Sequence, residues 1–198
     1  MLIVSVADVA SRRSAIEAAL AGGVDAVQLR DRQAAGRALL DAAVVLRALT
    51  DARSATLLVN DRIDVTRAAR ADGVHLPAAS FPIAVARTLV GPGALVGRST
   101  HAPDEAVAAA RAGADYVILG PIFDTPSKRA FGAPLGVAAI ASRRIAVPLI
   151  AIGGISADRV ALVRNAGAHG IAVVRALLDA ADPQAAAQTL VEALDVAR

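Results

Sequence analysis

Cysteine is missing from this chain, and with it go disulfides, thiolate metal sites, iron–sulfur clusters and cysteine nucleophiles. Aromatic residues make up only 2%, too few for the stacking platforms that hold single-stranded nucleic acid. The net charge of +3 is small for 198 residues, and the basic residues are scattered, so no nucleic-acid partner is expected. No uncharged run is long enough for a membrane span; the longest, Gly73 to Ala86, is interrupted by Pro77 and Pro82. No membrane partner is expected either. Met1 to Val6 is apolar but has no basic flank and soon meets Asp8, so it reads as a strand and not a signal peptide, with the cytoplasm as the expected compartment. Lysine is almost missing too: of 21 basic residues Lys128 alone is not arginine.

What is abundant is aliphatic. With 56% hydrophobic residues the chain can bury one sizeable core, and residues 1–198 are expected to form one domain. Short runs rich in Val, Ile and Leu alternate with Ala/Arg-rich stretches of helical period: LIVSV (2–6), VDAVQL (24–29), TLLVN (56–60), GVHL (73–76), ALVG (94–97), DYVILG (115–120), PLIAIG (148–153) and GIAVV (170–174). Strands without polar alternation belong in a parallel sheet covered by helices, where neither face meets water. About eight such units in one small domain predict the α/β class and a closed (β/α)₈ TIM barrel.

An internal repeat supports this. "AGGVDAVQL", "ARADGVHL", "RAGADYVIL" and "NAGAHGIAV" each end a helix and enter strands two, four, six and eight. Three have glycine where a left-handed helix C-cap belongs, and the second is expected to use Asp72-Gly73 there.

In such barrels the functional face carries the strand C-termini. The residues placed there are Arg30-Asp31-Arg32, Asn60-Asp61-Arg62, Pro77 to Ser80, Ser99-Thr100-His101, Pro121 to Lys128, Gly153-Gly154 and Arg175. Gly153-Gly154 ahead of a helix, together with the end of strand eight at Val174-Arg175, is the expected cradle for one phosphate, where glycine N–H groups approach the oxygens. Opposite it Arg30, Arg32, Lys128, Thr125 and Ser127 supply cations and hydroxyls, and Asp61 a hard carboxylate. That mixture suits a Mg2+-bound diphosphate; the alternative for Asp61 is a salt bridge to Arg62 or Arg30. Lys128 in "GPIFDTPSKRAFG" (120–132) fits a leaving-group contact, since a compact ammonium on a flexible stem follows a phosphate oxygen in a way guanidinium does not. Its alternative is an ordinary surface lysine. His75 reads as a packed or hydrogen-bonded barrel residue, His169 falls on the far face, and His101 stands behind the mouth. No G-x-S-x-G turn announces a nucleophilic serine.

The segments "VQLRDR", "LLVNDRID", "ADGVHLP", "GRSTHAPDEA", "GADYVILGPIFDTPSK" and "PLIAIGGIS" together resemble thiamin phosphate synthase and its TenI-like relatives over nearly the whole chain. The resemblance implies a transferase that joins hydroxymethylpyrimidine diphosphate to thiazole phosphate, with dissociative loss of pyrophosphate. It implies that Gln28, Arg30, Arg32, Asn60, Thr125, Ser127 and Lys128 hold the diphosphate or pyrimidine, that Ser99 meets the pyrimidine, and that Asp61 holds Mg2+. It further implies that Gly153 and Gly154, with Val173 and Val174, hold the thiazole phosphate, and that Lys128, Arg30 and Ser99 form the catalytic set. The implied partners are those two phosphorylated small molecules, with a homodimer as the one protein assembly considered. Three departures stand out. "HLPAAS" replaces the synthases' "HLGQED", putting Ser80 where a second metal-binding aspartate is expected. Asp31-Arg32 replaces glutamate and lysine. Pro121 occupies the position where TenI-like thiazole tautomerases place their histidine base. The alternatives to the synthase are therefore such a tautomerase or a non-catalytic barrel that binds thiazole or thiamin phosphate.

Overall fold

The computed structural model describes residues 1–125 and 133–196. In chain order the elements are β1 (Leu2–Val4), α1 (Val6–Ser11), α2 (Arg13–Ala21), β2 (Ala26–Leu29), α3 (Gly36–Asp51), β3 (Thr56–Asn60), α4 (Ile63–Ala68), β4 (Gly73–Leu76), α5 (Ile83–Val90), β5 (Leu95–Thr100) and α6 (Pro103–Arg111). There follow β6 (Tyr116–Leu119), α7 (Ala138–Ala141), β7 (Leu149–Ile152), α8 (Ala157–Asn165), β8 (Gly170–Ala172), α9 (Arg175–Leu178) and α10 (Pro183–Val196). The eight strands pair in sequence order, every neighbour parallel. The sheet closes through a parallel bridge between Leu2 and Val173, where the Ile3 N–H donates to Val173 O at 3.0 Å and the Val173 N–H to Met1 O at 3.2 Å. This is the (β/α)₈ barrel that the strand pattern predicts.

Two cores explain why the strands lack alternation. Outward side chains such as Val27, Leu29, Leu57, Val59, Val117 and Leu119 are buried against Leu39, Leu46, Ala106 and Val160 of the surrounding helices. Inward ones, Leu58, Tyr116 and Ile118, pack with Met1, Ile150 and Ile152 inside the barrel. Each fully buried Leu, Ile or Val contributes roughly 1.5–3 kcal/mol relative to exposure, so both faces hold the sheet.

Strand ends differ from the sequence reading where a local bond intervenes. β1 stops at Val4 because Ser5 starts a helix: its hydroxyl accepts from the Asp8 N–H at 3.1 Å while the Asp8 carboxylate accepts the Ser5 N–H at 2.8 Å, a capping box. β5 runs on to Thr100, so Ser99 is a strand residue and not part of a following loop. α6 opens on Pro103, as read, and Glu105 reaches back to the His101 N–H at 2.7 Å.

Of the four repeated joints, three turn on left-handed glycines, Gly23, Gly113 and Gly167, with φ of 101°, 94° and 108°. The expectation for the second is corrected: there Arg70 takes the left-handed conformation, φ 52°, and Gly73 does not. Gly73 is needed for space, since a Cβ would lie 2.3 Å from Leu95 O. Asp72 and Asp115 of the repeat do the same job at two joints. Asp72 accepts the Leu57 N–H at 2.6 Å and pairs with Arg47 at 2.7 Å; Asp115 accepts the Val96 N–H at 2.6 Å and pairs with Arg87 at 2.6 Å. Each carboxylate thus satisfies a strand-start N–H and ties it to the helix before. Among the described residues no helix is long and apolar enough to cross a membrane.

Candidate functional site

Because all eight strands run parallel, their C-terminal ends open on one face, and Arg30, Asn60, Asp61, Ser80, Thr125, Gly153, Gly154 and Val174 follow or close them there. Ser127 and Lys128 lie outside the described residues. Asn60 and Ser99 sit in the last turns of β3 and β5, while Arg175 belongs to α9. Val174 is exposed ahead of α9, and the Val173 N–H is taken by the barrel closure.

Beneath the rim runs a polar chain within the barrel. His75 is buried, with Nδ1 3.0 Å from the Tyr116 hydroxyl and Nε2 2.7 Å from Ser99 Oγ. Gly97 makes this possible: a Cβ there would lie 2.1 Å from Tyr116 Cζ, so only glycine lets the phenol cross β5 to the His75 ring on β4. The rings stack at 5.6 Å between centroids. Burial, followed by the positive fields of Arg30 and Arg98, pushes the imidazole down to about 3. Burial, and secondarily the Asp115 charge, pushes the Tyr116 hydroxyl up. Both groups are therefore neutral at pH 7. A neutral imidazole donates from one nitrogen and accepts at the other, so the orientation of the Ser99 hydroxyl is tied to that of Tyr116. Gln28 is also fully buried, close enough to the Tyr116 hydroxyl for its side chain to oppose part of that rise by hydrogen bonding. The barrel-residue reading of His75 holds.

Protonation of His75 carries a pH signature. The unfolded side chain takes a proton near pH 6.5, the folded one only near 3. Between those values the unfolded state binds more protons, so this contribution is fully present above about pH 6.5 and is lost as pH falls toward about 3. His75→Gln is expected to flatten that acid-side loss, read from urea midpoints at about pH 7 and about pH 4.5. Identical pH dependence in the two proteins would remove His75 as its source.

On the cationic side, Arg30 is lowered by burial and then by the nearby like charge of Arg32, with Asp31 opposing. Neither arginine has a carboxylate partner among the described residues. Asp31 instead braces its own loop, accepting the Gln33 and Ala34 N–H groups at 3.1 Å each. Two guanidinium groups without a carboxylate partner make a seat for a multiply charged anion.

Asp61 has φ 65°, a left-handed turn that aspartate tolerates; its N–H donates to His75 O at 2.9 Å and Arg62 closes the turn on Asn60 O at 2.8 Å. The salt-bridge alternative fails for Arg62, which forks onto Asp64 at 2.8 and 2.5 Å and holds that carboxyl down at about 2. The Asp61 Oδ1 accepts the Ser80 hydroxyl. Arg98 fixes the loop that carries Ser80, donating to Phe81 O and Ala78 O, both at 2.8 Å. Sequence reasoning missed this arginine, because its role is visible only once β5 lies beside β4. One carboxylate oxygen is thus left over for a hard cation, and among the described residues no third His, Cys, Asp or Glu joins it. That donor set fits Mg2+, which takes one or two carboxylates and completes its shell with water and phosphate oxygens.

Across the mouth, Gly153 and Gly154 have φ of 102° and 65°. A Cβ on Gly153 would lie 2.7 Å from Pro121 Cα, and one on Gly154 2.6 Å from Asp124 O. The loop after β7 is therefore pressed against the exit of β6. Phe123 is half-buried against the core, its N–H donating to Gly153 O at 3.0 Å, with the Arg159 guanidinium 4.7 Å over its ring and bonded to Gly154 O at 2.7 Å. Thr125, expected opposite the glycine loop, is instead buried on the β6 exit against which that loop is pressed, because it follows Asp124 directly. His101 hydrogen-bonds to Gly120 O through Nδ1 at 2.8 Å, a supporting contact behind the mouth.

A closed parallel barrel whose mouth sets paired arginines and a carboxylate opposite a glycine loop is a phosphate-handling (β/α)₈ barrel. The sequence profile described as thiamine monophosphate synthase matches residues 1–177, and the chain belongs to that family. It is 49% identical over 182 residues to the thiamine-phosphate synthase of Methanoculleus marisnigri, covering 91% of this chain and 86% of that one. It is 45% identical over 182 residues to the thiamine-phosphate synthase of Chloroflexus aurantiacus, covering 91% and 84%. The solved thiamine phosphate pyrophosphorylase from Pyrococcus furiosus superposes with a TM-score of 0.89 at 31% identity, covering 99% of this chain and 95% of that one.

Proposed function

We propose that this chain joins the hydroxymethylpyrimidine of its diphosphate to thiazole phosphate, giving thiamin phosphate and pyrophosphate. The observation that carries this reading is the division of the mouth into two anion seats: Arg30, Arg32 and the one-oxygen carboxylate of Asp61 on one side, and the glycine loop of Gly153 and Gly154 on the other. A reaction on one monophosphate needs a single such seat. The relatives' names point to the same reaction.

In the proposed mechanism the bond between the pyrimidine methylene carbon and the bridging diphosphate oxygen breaks, with its electron pair leaving on pyrophosphate. The thiazole nitrogen then gives its lone pair to that carbon. Arg30 and Arg32 hold the leaving oxygens from the β2 side, while Thr125 on the β6 exit, and Ser127 and Lys128 outside the described residues, are assigned to the same oxygens by sequence. Asp61 would hold Mg2+, which when bound supplies charge neutralisation to the departing pyrophosphate. Gln28, Asn60 and Ser99 meet the pyrimidine, and the neutral His75 fixes Ser99 for that contact without acting as a base. Gly153, Gly154 and the exposed Val174 border the thiazole phosphate. Pro121 at the exit of β6 brings no proton-transferring group to this mouth.

A homodimer remains part of the proposal; Phe81, Val85 and Leu89 stand exposed at helical spacing on and beside α5, an apolar stripe suited to a second copy. The reaction is tested by mixing the protein with both substrates and Mg2+ and following thiamin phosphate by chromatography. Product that appears only with both substrates supports the reading; isomerisation of a thiazole carboxylate phosphate without any pyrimidine would overturn it.

A further inference from the structure

Two loops are joined on the rim by one side-chain hydrogen bond. The β3 loop fixes Asp61 by the Asp61 N–H to His75 O and by its left-handed turn. The β4 loop fixes Ser80 by a turn, its N–H donating to Pro77 O at 3.0 Å, and by the two bonds from Arg98. The bond that joins them runs from the Ser80 hydroxyl to Asp61 Oδ1. A serine there adds no charge, and its hydrogen bond engages one of the two carboxylate oxygens.

We infer that Ser80 is a positioning residue that holds Asp61 as a one-oxygen ligand, so that the divalent cation enters with the diphosphate and is not retained by the protein alone. The inference rests on the proposed diphosphate chemistry and extends it to the order of assembly. One carboxylate oxygen is a poor trap for a hydrated hard cation, which favours sites rich in charged oxygens. The guanidinium groups of Arg30 and Arg32, without a carboxylate partner among the described residues, repel a bare divalent ion and attract a diphosphate. The same rim therefore disfavours the cation before the anion arrives and favours it afterwards. The hydroxyl keeps the remaining oxygen aimed while the cation is away.

The test uses calorimetry on the full chain with three probes: Mn2+ alone, inorganic pyrophosphate alone, and their preformed one-to-one complex. In the unaltered protein the complex is expected to bind at least about tenfold more tightly than either component. Ser80→Ala should weaken the complex roughly tenfold, the lower end of the range for losing a partner that orients a metal ligand, while leaving pyrophosphate alone unchanged. Ser80→Asp should let Mn2+ alone bind at least about tenfold more tightly, since it adds a second carboxylate; this arm does not depend on how well the alanine variant folds. Mn2+ alone binding the unaltered protein as tightly as the complex does, or Ser80→Ala leaving the complex untouched, would overturn the inference. If the probes behave as expected but no thiamin phosphate forms, the proposed reaction falls and the ion site stands; tight binding of Mn2+ alone in a protein that does form thiamin phosphate would be the reverse.

Discussion

Asp61→Asn is expected to lower the rate of thiamin phosphate formation by roughly tenfold to a thousandfold, from the lower end for disturbed metal ligation to the upper end for losing one contact that stabilises transition-state charge. The barrel should survive the change. Asparagine tolerates the left-handed conformation that Asp61 adopts, its amide oxygen can still accept the Ser80 hydroxyl, and the backbone bond to His75 O does not involve the side chain. What is lost is the negative charge that would face the cation in the proposed site. Steady-state kinetics across a Mg2+ series, alongside a thermal melt, separates the two effects: a deep loss of turnover at an unchanged melting temperature is expected. Unchanged turnover would take Asp61 out of the site.

Gly153→Ala should act on the other side of the mouth and on stability together. At φ 102° an L side chain costs about 1–3 kcal/mol for a sparsely populated backbone conformation. The added methyl would also lie 2.7 Å from the Pro121 Cα, and a backbone atom cannot swing aside as a flexible side chain does. Either the loop after β7 lifts away from the β6 exit, or the barrel rim shifts. The expected result is a rise in KM for thiazole phosphate of roughly tenfold or more, with a lower melting temperature and a clearly smaller loss of pyrophosphate binding, since Arg30 and Arg32 lie at the opposite rim while Thr125 stands on the β6 exit that the methyl displaces. Equal losses at both seats would mean that the glycine serves the barrel as a whole and not one phosphate.

The barrel itself was legible because its cause is local. A parallel strand buried on both faces must be continuously apolar, and TLLVN and GVHL appear as strands at the positions read from their composition. Glycine at three of the four repeated joints was legible for the same reason: a left-handed turn leaves a residue-level trace. Failures came where a bond formed across the sequence. Nothing in "ARADGVHL" distinguishes a glycine that supplies a turn from one that makes room for Leu95 O. Arg98 looked like one more scattered arginine, yet it anchors the loop of Ser80. Gly97, His75 and Tyr116 form one unit, although 41 residues separate the histidine from the tyrosine; a missing side chain on the strand between them is what brings the pair together.

For the site, residue type and strand order were enough to nominate Arg30, Asp61 and the Gly153-Gly154 loop for one face, because parallel topology sends every strand C-terminus to the same end. The partners that tune them were not nominated. Ser80 read as the loss of a metal ligand, whereas the structure bonds its hydroxyl to the surviving carboxylate.

The most direct measurement is anomalous diffraction from crystals grown with Mn2+ and pyrophosphate. The expected result is a manganese peak within direct coordination distance of the Asp61 carboxylate and bridged to pyrophosphate beside Arg30. A catalytically active protein whose manganese lies elsewhere, with pyrophosphate away from Asp61 and Arg30, would contradict the account.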